Sequence, residues 1–204
     1  MRNRRLSRES AERAWLGGEL GTGTSGIMAN FNIGDRVEVI GDIARYYSST
    51  VGIITGIERG VTSLFNKHTL RLADGTVGTF LPFQIQIPPA TTARLVFDSS
   101  ASWQPAGLRG ATQPRHLRFT AQQFDIHLKV LESETGIAIV GQIFSEKPER
   151  IRPALLTLLV EGKPDRTAST DPIGEFKLDA IPPGEVELEI VVPAHRIFAS
   201  LRAA

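Results

Sequence analysis

The sequence predicts an all-β chain, a small curled barrel followed by a larger β-sandwich. Apolar and polar residues alternate with period two in short runs from Ile33 to Ile190, the spacing of half-buried strands. The runs are β-branched and separated by turn formers, with 19 Gly and 12 Pro in 204 residues, as closely spaced strands require. Residues 31–88 hold four or five such runs with no convincing helix, so that segment closes as a small barrel.

The barrel begins with Ile33-Gly34-Asp35-Arg36-Val37-Glu38-Val39-Ile40, where Val37 and Val39 share one face and Arg36 and Glu38 the other. Val51-Gly52-Ile53-Ile54-Thr55-Gly56-Ile57 is β-branched and glycine-punctuated, which suits a strongly bent strand at a barrel corner. Thr69–Ala73 and Thr76–Phe80 flank Asp74-Gly75. A two-residue Asp-Gly loop predicts a type I′ hairpin, with Leu72 facing Val77. Gly34-Asp35-Arg36-Val37 followed by Val51-Gly52-Ile53-Ile54 resembles an SH3-like barrel of the KOW type. With the closing Leu-Pro-Phe-Gln-Ile at 81–85 it is also similar to small barrels of photosystem accessory subunits and other proteins that bind no RNA.

Pro88-Pro89-Ala90-Thr91-Thr92 interrupts the pattern, and residues 89–92 are expected to be a linker. Ala93–Phe97 reads as a strand, and Ser99–Pro114, rich in Ser, Gly, Ala and Pro, as a flexible loop. Phe124–Val130 alternates cleanly, placing Phe124, Ile126, Leu128 and Val130 inward and Asp125, His127 and Lys129 outward. Ile137–Phe144 is a further strand. Ala154–Val160 is apolar on both faces and fits a central strand covered on both sides. Near the end stand Thr170-Asp171-Pro172-Ile173-Gly174-Glu175-Phe176 and Ile181-Pro182-Pro183-Gly184-Glu185-Val186-Glu187-Leu188-Glu189-Ile190. Gly174 permits the turn that lets Phe176 into the core, and Pro183-Gly184 should connect paired strands tightly. Val186, Leu188 and Ile190 should point inward, with Glu185, Glu187 and Glu189 solvated outside. These residues, with Gly141-Gln142-Ile143 as an opening strand, resemble the carboxypeptidase-regulatory-like (transthyretin-like) β-sandwich. The resemblance implies an immunoglobulin-like sandwich over about 93–204, acting in folding, docking or carbohydrate binding.

The absence of cysteine removes disulfides, thiolate metal sites and thiol nucleophiles. His68, His116, His127 and His195 are scattered, so no metal site is expected. No nucleophile elbow or phosphate-cradling loop follows a strand, and the expectation is a protein that is not an enzyme and uses no cofactor. The formal charge of +1 steers the chain to neither nucleic acid nor membrane. It conceals a mildly basic middle, five cations to two anions over 89–130, and an acidic end, eight cations to twelve anions over 131–204.

Residues 1–30 are either a disordered basic tail or a leader misread ahead of a true start at Met28. They lack the apolar core of a secretory signal, no run reaches bilayer length, and a cytoplasmic location is expected. The leading expectation is a bacterial accessory or regulatory adaptor that engages a protein partner, with oligomeric state open. Arg45, Tyr46, Tyr47, Lys67 and His68 are its candidate surface, because cation plus aromatic stacks on peptides or bases. Tyr46 or Tyr47 is read alternatively as a plug for the barrel end. The same five residues would serve an RNA- or DNA-binding regulator, and Trp103 would stack on sugar in a carbohydrate-binding appendage.

Overall fold

The computed structural model describes residues 30–101, 114–133, 136–146 and 153–203, and these are all-β. The tail expected over 1–30 (save Asn30), the body of the loop expected over 99–114 and Trp103 lie outside them.

Five strands form the N-terminal unit: β1 (Arg36–Val39), β2 (Val51–Glu58), β3 (Lys67–Leu72), β4 (Val77–Phe80) and β5 (Ile85–Gln86). They lie in the order β4-β3-β2-β1-β5, all antiparallel. Val37, Val39, Ile54, Leu70, Leu72, Phe80 and Ile85 merge into one buried cluster. Because every strand contributes to it, the sheet must curl around its own core. The bend falls in β2, where the register against β3 slips between Ile54 and Gly56. Thr55, the extra residue, donates its hydroxyl to the Thr69 carbonyl at 3.2 Å.

The β3–β4 turn differs from the expected one. Arg71, not Leu72, faces Val77, and the loop is Ala73-Asp74-Gly75, closed by Leu72 N–H to Thr76 O at 2.8 Å and Gly75 N–H to Leu72 O at 2.9 Å. Only Gly75 of the three takes a positive φ, +86°, the pattern of a type I turn with a glycine bulge. The Asp74 carboxylate accepts from the Thr76 and Ser49 amides and the Ser48 hydroxyl. These bonds hold Asp74 in ordinary turn backbone, outside the left-handed region that a type I′ turn would require.

The remaining strands are β6 (Ala90–Thr92), β7 (Arg94–Asp98), β8 (Arg115–Ala121), β9 (Phe124–Ser133), β10 (Gly136–Ser145), β11 (Leu155–Val160), β12 (Lys163–Ser169), β13 (Glu175–Ile181), β14 (Gly184–Val192) and β15 (His195–Ala203). They build two five-stranded sheets, β13-β10-β9-β8-β7 and β12-β11-β14-β15-β6. Phe119, Phe124, Ile126, Ile139 and Ile143 of the first share one buried cluster with Leu156, Leu158, Leu188, Ile190 and Ile197 of the second, so the sheets face each other as a sandwich. Phe176 enters this core and lies across Gly141, where a Cβ would come 2.3 Å from its ring.

Two connections correct the sequence reading. Ala90–Thr92, expected as linker, is an edge strand parallel to β15, with Thr91 opposite Ile197. Pro182-Pro183 does not join paired strands, since β13 and β14 belong to different sheets. Proline supplies no amide to a ladder, and here it occupies the crossing between layers.

The second sheet is covered on both faces. Leu156 and Leu158 point into the sandwich core, while Leu155 of β11 and Val191 of β14 pack against Val51 and Ala73 of the N-terminal unit. The doubly apolar run read at 154–160 therefore has its second cover in the N-terminal unit. The described residues thus form three sheets stacked in layers.

Candidate functional site

At the centre of the contact between the N-terminal unit and the sandwich stands Glu189, expected to be solvated but 1% exposed. Its carboxylate meets Arg36 Nε at 3.2 Å and Arg196 Nε at 2.5 Å, and Arg36 also reaches the Thr157 hydroxyl at 3.3 Å. Glu38 accepts from Gln86 Nε2 and from the Ala194 amide in the β14–β15 turn, both at 3.0 Å. The Ser49 hydroxyl donates to the Pro153 carbonyl at 3.0 Å. The polar face of β1 is thus an internal surface, each charge matched by a partner on the sandwich. Buried charges demand such pairing.

The five candidate residues on the N-terminal unit divide between core and surface. His68 is 3% exposed and packs edge-on against Phe31 at 5.3 Å. Burial pushes its pKa below the usual histidine value, partly offset by a hydrogen bond with the Phe80 backbone. Its Nδ1 is buried without a hydrogen-bond partner. Tyr47 packs against Phe80 at 5.4 Å and borders the core of the N-terminal unit. Tyr46, in the 3-10 turn Asp42–Tyr46, is 73% exposed with the Arg45 guanidinium 5.0 Å from its ring centre. Lys67 is a surface residue 3.6 Å from Glu58. Arg45 and Tyr46 remain as a surface pair ahead of the start of β2, while Lys67 and Glu58 face each other at its end.

Sequence reasoning missed a larger apolar surface. The β2–β3 loop contains the 3-10 turn Ser63–Phe65, which lies beside the 3-10 turn Pro82–Gln84. The two turns expose Leu64 at 41%, Phe65 at 60% and Phe83 at 64%, and Val61, earlier in the β2–β3 loop, is 100% exposed. The loop is fixed by Gly60 N–H to the Asn66 side chain at 3.0 Å and Phe65 N–H to Thr62 O at 3.0 Å. Gly60 is needed there, since a Cβ would stand 2.5 Å from the Phe65 carbonyl oxygen. The available signal was Val61 and Leu64-Phe65 sitting between turn formers, where no strand partner can bury them.

At one end of the sandwich, a paired hydrogen bond from Arg115 holds the Asp98 carboxyl well below the usual carboxylate range. Arg115 also donates to the Arg202 carbonyl at 2.7 Å, tying the two sheets together. Among the described residues no group of three His, Asp or Glu side chains could hold a metal ion, and no helix is long and apolar enough to cross a membrane. Comparison with known proteins finds no family model, no curated protein and no solved structure that matches this chain.

Proposed function

We propose that the chain is a non-enzymatic docking protein that holds a protein partner against the apolar face formed by Val61, Leu64, Phe65 and Phe83. The observation that carries this reading is the exposure of Leu64, Phe65 and Phe83 on two adjacent, internally braced turns, with Val61 exposed in the loop that leads into the first. Apolar surface left in water costs about 25 cal/mol per Å², and a clustered apolar surface on a fixed framework suits a binding site. Aromatic anchors such as Phe65 and Phe83 are the residues that dominate protein interfaces. The SH3-like and transthyretin-like resemblances of the two parts, and a bacterial accessory role, belong to the same proposal.

The test is capture of partners from the native host, with and without nuclease, by the full chain and two double variants. A protein retained after nuclease, and lost from Phe65→Ser/Phe83→Ser at unchanged thermal stability, is the expected result. Nucleic acid as the captured species, lost from Arg45→Ala/Tyr46→Ala, would overturn it in favour of the RNA- or DNA-binding reading.

A further inference from the structure

A cleft of about 340 Å³ lies where the β3–β4 turn approaches the edge of the second sandwich sheet. One wall is Arg71, Leu72, Ala73 and Gly75, the other is Thr167–Ser169 of β12, and Ile53 and Leu155 contribute apolar lining. Thr167 pairs with Thr157 and Ser169 with Leu155, so both hydroxyl side chains lie on the sheet face that the N-terminal unit covers. Neither part of the molecule makes this cleft alone.

Two properties of the walls define an occupant. First, β12 is an edge strand whose ladder partner among the described strands is β11 alone; Arg166 donates to the Asp179 carbonyl of β13, while beyond it, at Thr167–Ser169, no strand among the described residues pairs with the outer side of the backbone. Its first half carries Lys163, Pro164, Asp165 and Arg166, residues that discourage strand addition. Thr167, Ala168 and Ser169 carry no such guard. Second, among the described residues Arg71 is the only charged one lining the cleft, and its guanidinium has no hydrogen-bond or ion-pair partner among them. A free guanidinium facing hydroxyls favours an anion and is shaped for a planar one.

We infer that this cleft takes a short extended segment of a partner protein, its main chain pairing with β12 at Thr167–Ser169 and its carboxylate held by Arg71. Added-strand binding draws affinity from main-chain hydrogen bonds and specificity from one or two side-chain positions. The volume is at the small end of ligand sites and suits a segment of a few residues. The inference goes beyond the apolar face, because the two sites share no residue and can fail separately.

Titration of the isotope-labelled full chain, followed by backbone amide chemical shifts, tests it. The probes are acetyl-Val-Thr-Val with a free C-terminal carboxylate, acetyl-Val-Asp-Val amide, and neutral acetyl-Val-Thr-Val amide. At least one carboxylate probe should shift the amides of residues 71–75 and 167–169, with the two arms separating a chain terminus from an acidic side chain as the source. The neutral probe, and either carboxylate probe with Arg71→Gln, should bind about tenfold more weakly, as loss of a charge-assisted pair implies. Phe65→Ser/Phe83→Ser should leave the shifts unchanged. Absence of shifts at these amides up to millimolar carboxylate probe overturns the inference, as does equal affinity for the neutral probe or for Arg71→Gln.

Discussion

Glu189 lies between Arg36 and Arg196 with almost no water access, so removing its charge strands two guanidinium groups that were placed to meet it. Breaking one partner of a buried ion pair typically costs about 3–5 kcal/mol. Glu189→Gln should lower the urea midpoint accordingly, whereas Glu185→Gln, at an exposed position of the same strand, should leave it almost unchanged. His68 supplies a pH dependence whose sign follows from its environment. Its folded pKa is lowered by burial, so below about pH 6.5 the unfolded chain gains a proton that the folded chain resists. Stability should therefore fall between about pH 7.5 and about pH 5.5, and His68→Leu should flatten that slope in urea unfolding. Asp98 behaves in the same sense at lower pH. With its folded pKa depressed by Arg115, its contribution is present above about pH 4 and lost as acid approaches the folded value.

Individual elements show where alternation is a sufficient guide and where it is not. The period-two pattern over Phe124–Val130 identified β9 and its buried face, because Phe124, Ile126, Leu128 and Val130 all enter the core. The β3–β4 register could not be read from Asp74-Gly75, since the choice of turn depends on Ser48 and Ser49, which reach Asp74 from the preceding loop. Asp74→Ala should remove three hydrogen bonds and cost about 1–3 kcal/mol in thermal or urea unfolding. Gly141 presents a different constraint, since Phe176 occupies the space of its missing side chain. Gly141→Val should overpack the core and destabilise by about 1–3 kcal/mol. A companion Phe176→Leu, smaller across the same site, should recover part of that loss in a double-mutant cycle.

For the whole molecule, the all-β class was legible, and so was the covered second face of Ala154–Val160. The contact that covers it was not. Arg36 and Glu38 alternate with valines in a way identical to a solvated strand face, and Glu185, Glu187 and Glu189 look alike in sequence. Only three-dimensional placement shows that Arg36, Glu38 and Glu189 meet across one internal surface. The apolar face at Phe65 and Phe83 was hidden for a related reason: its two turns are distant in sequence and adjacent only after the sheet curls. With Leu155 and Val191 packed against Val51 and Ala73, the N-terminal unit and the sandwich should melt together. Calorimetry is expected to show one transition with calorimetric and van't Hoff enthalpies in agreement. Two separated transitions would contradict that coupling.

The parallel pairing of β6 with β15 has a further consequence for biosynthesis. Ala90–Thr92 can find Arg196–Phe198 only after β7 to β14 have been synthesised and β15 has left the ribosome. That same strand carries Arg196 to Glu189. Non-local closure of this kind slows folding, because a large loop must be ordered before the contact rewards it. A nascent chain halted after β14 would still lack the strand that closes its second sheet, however long it waited.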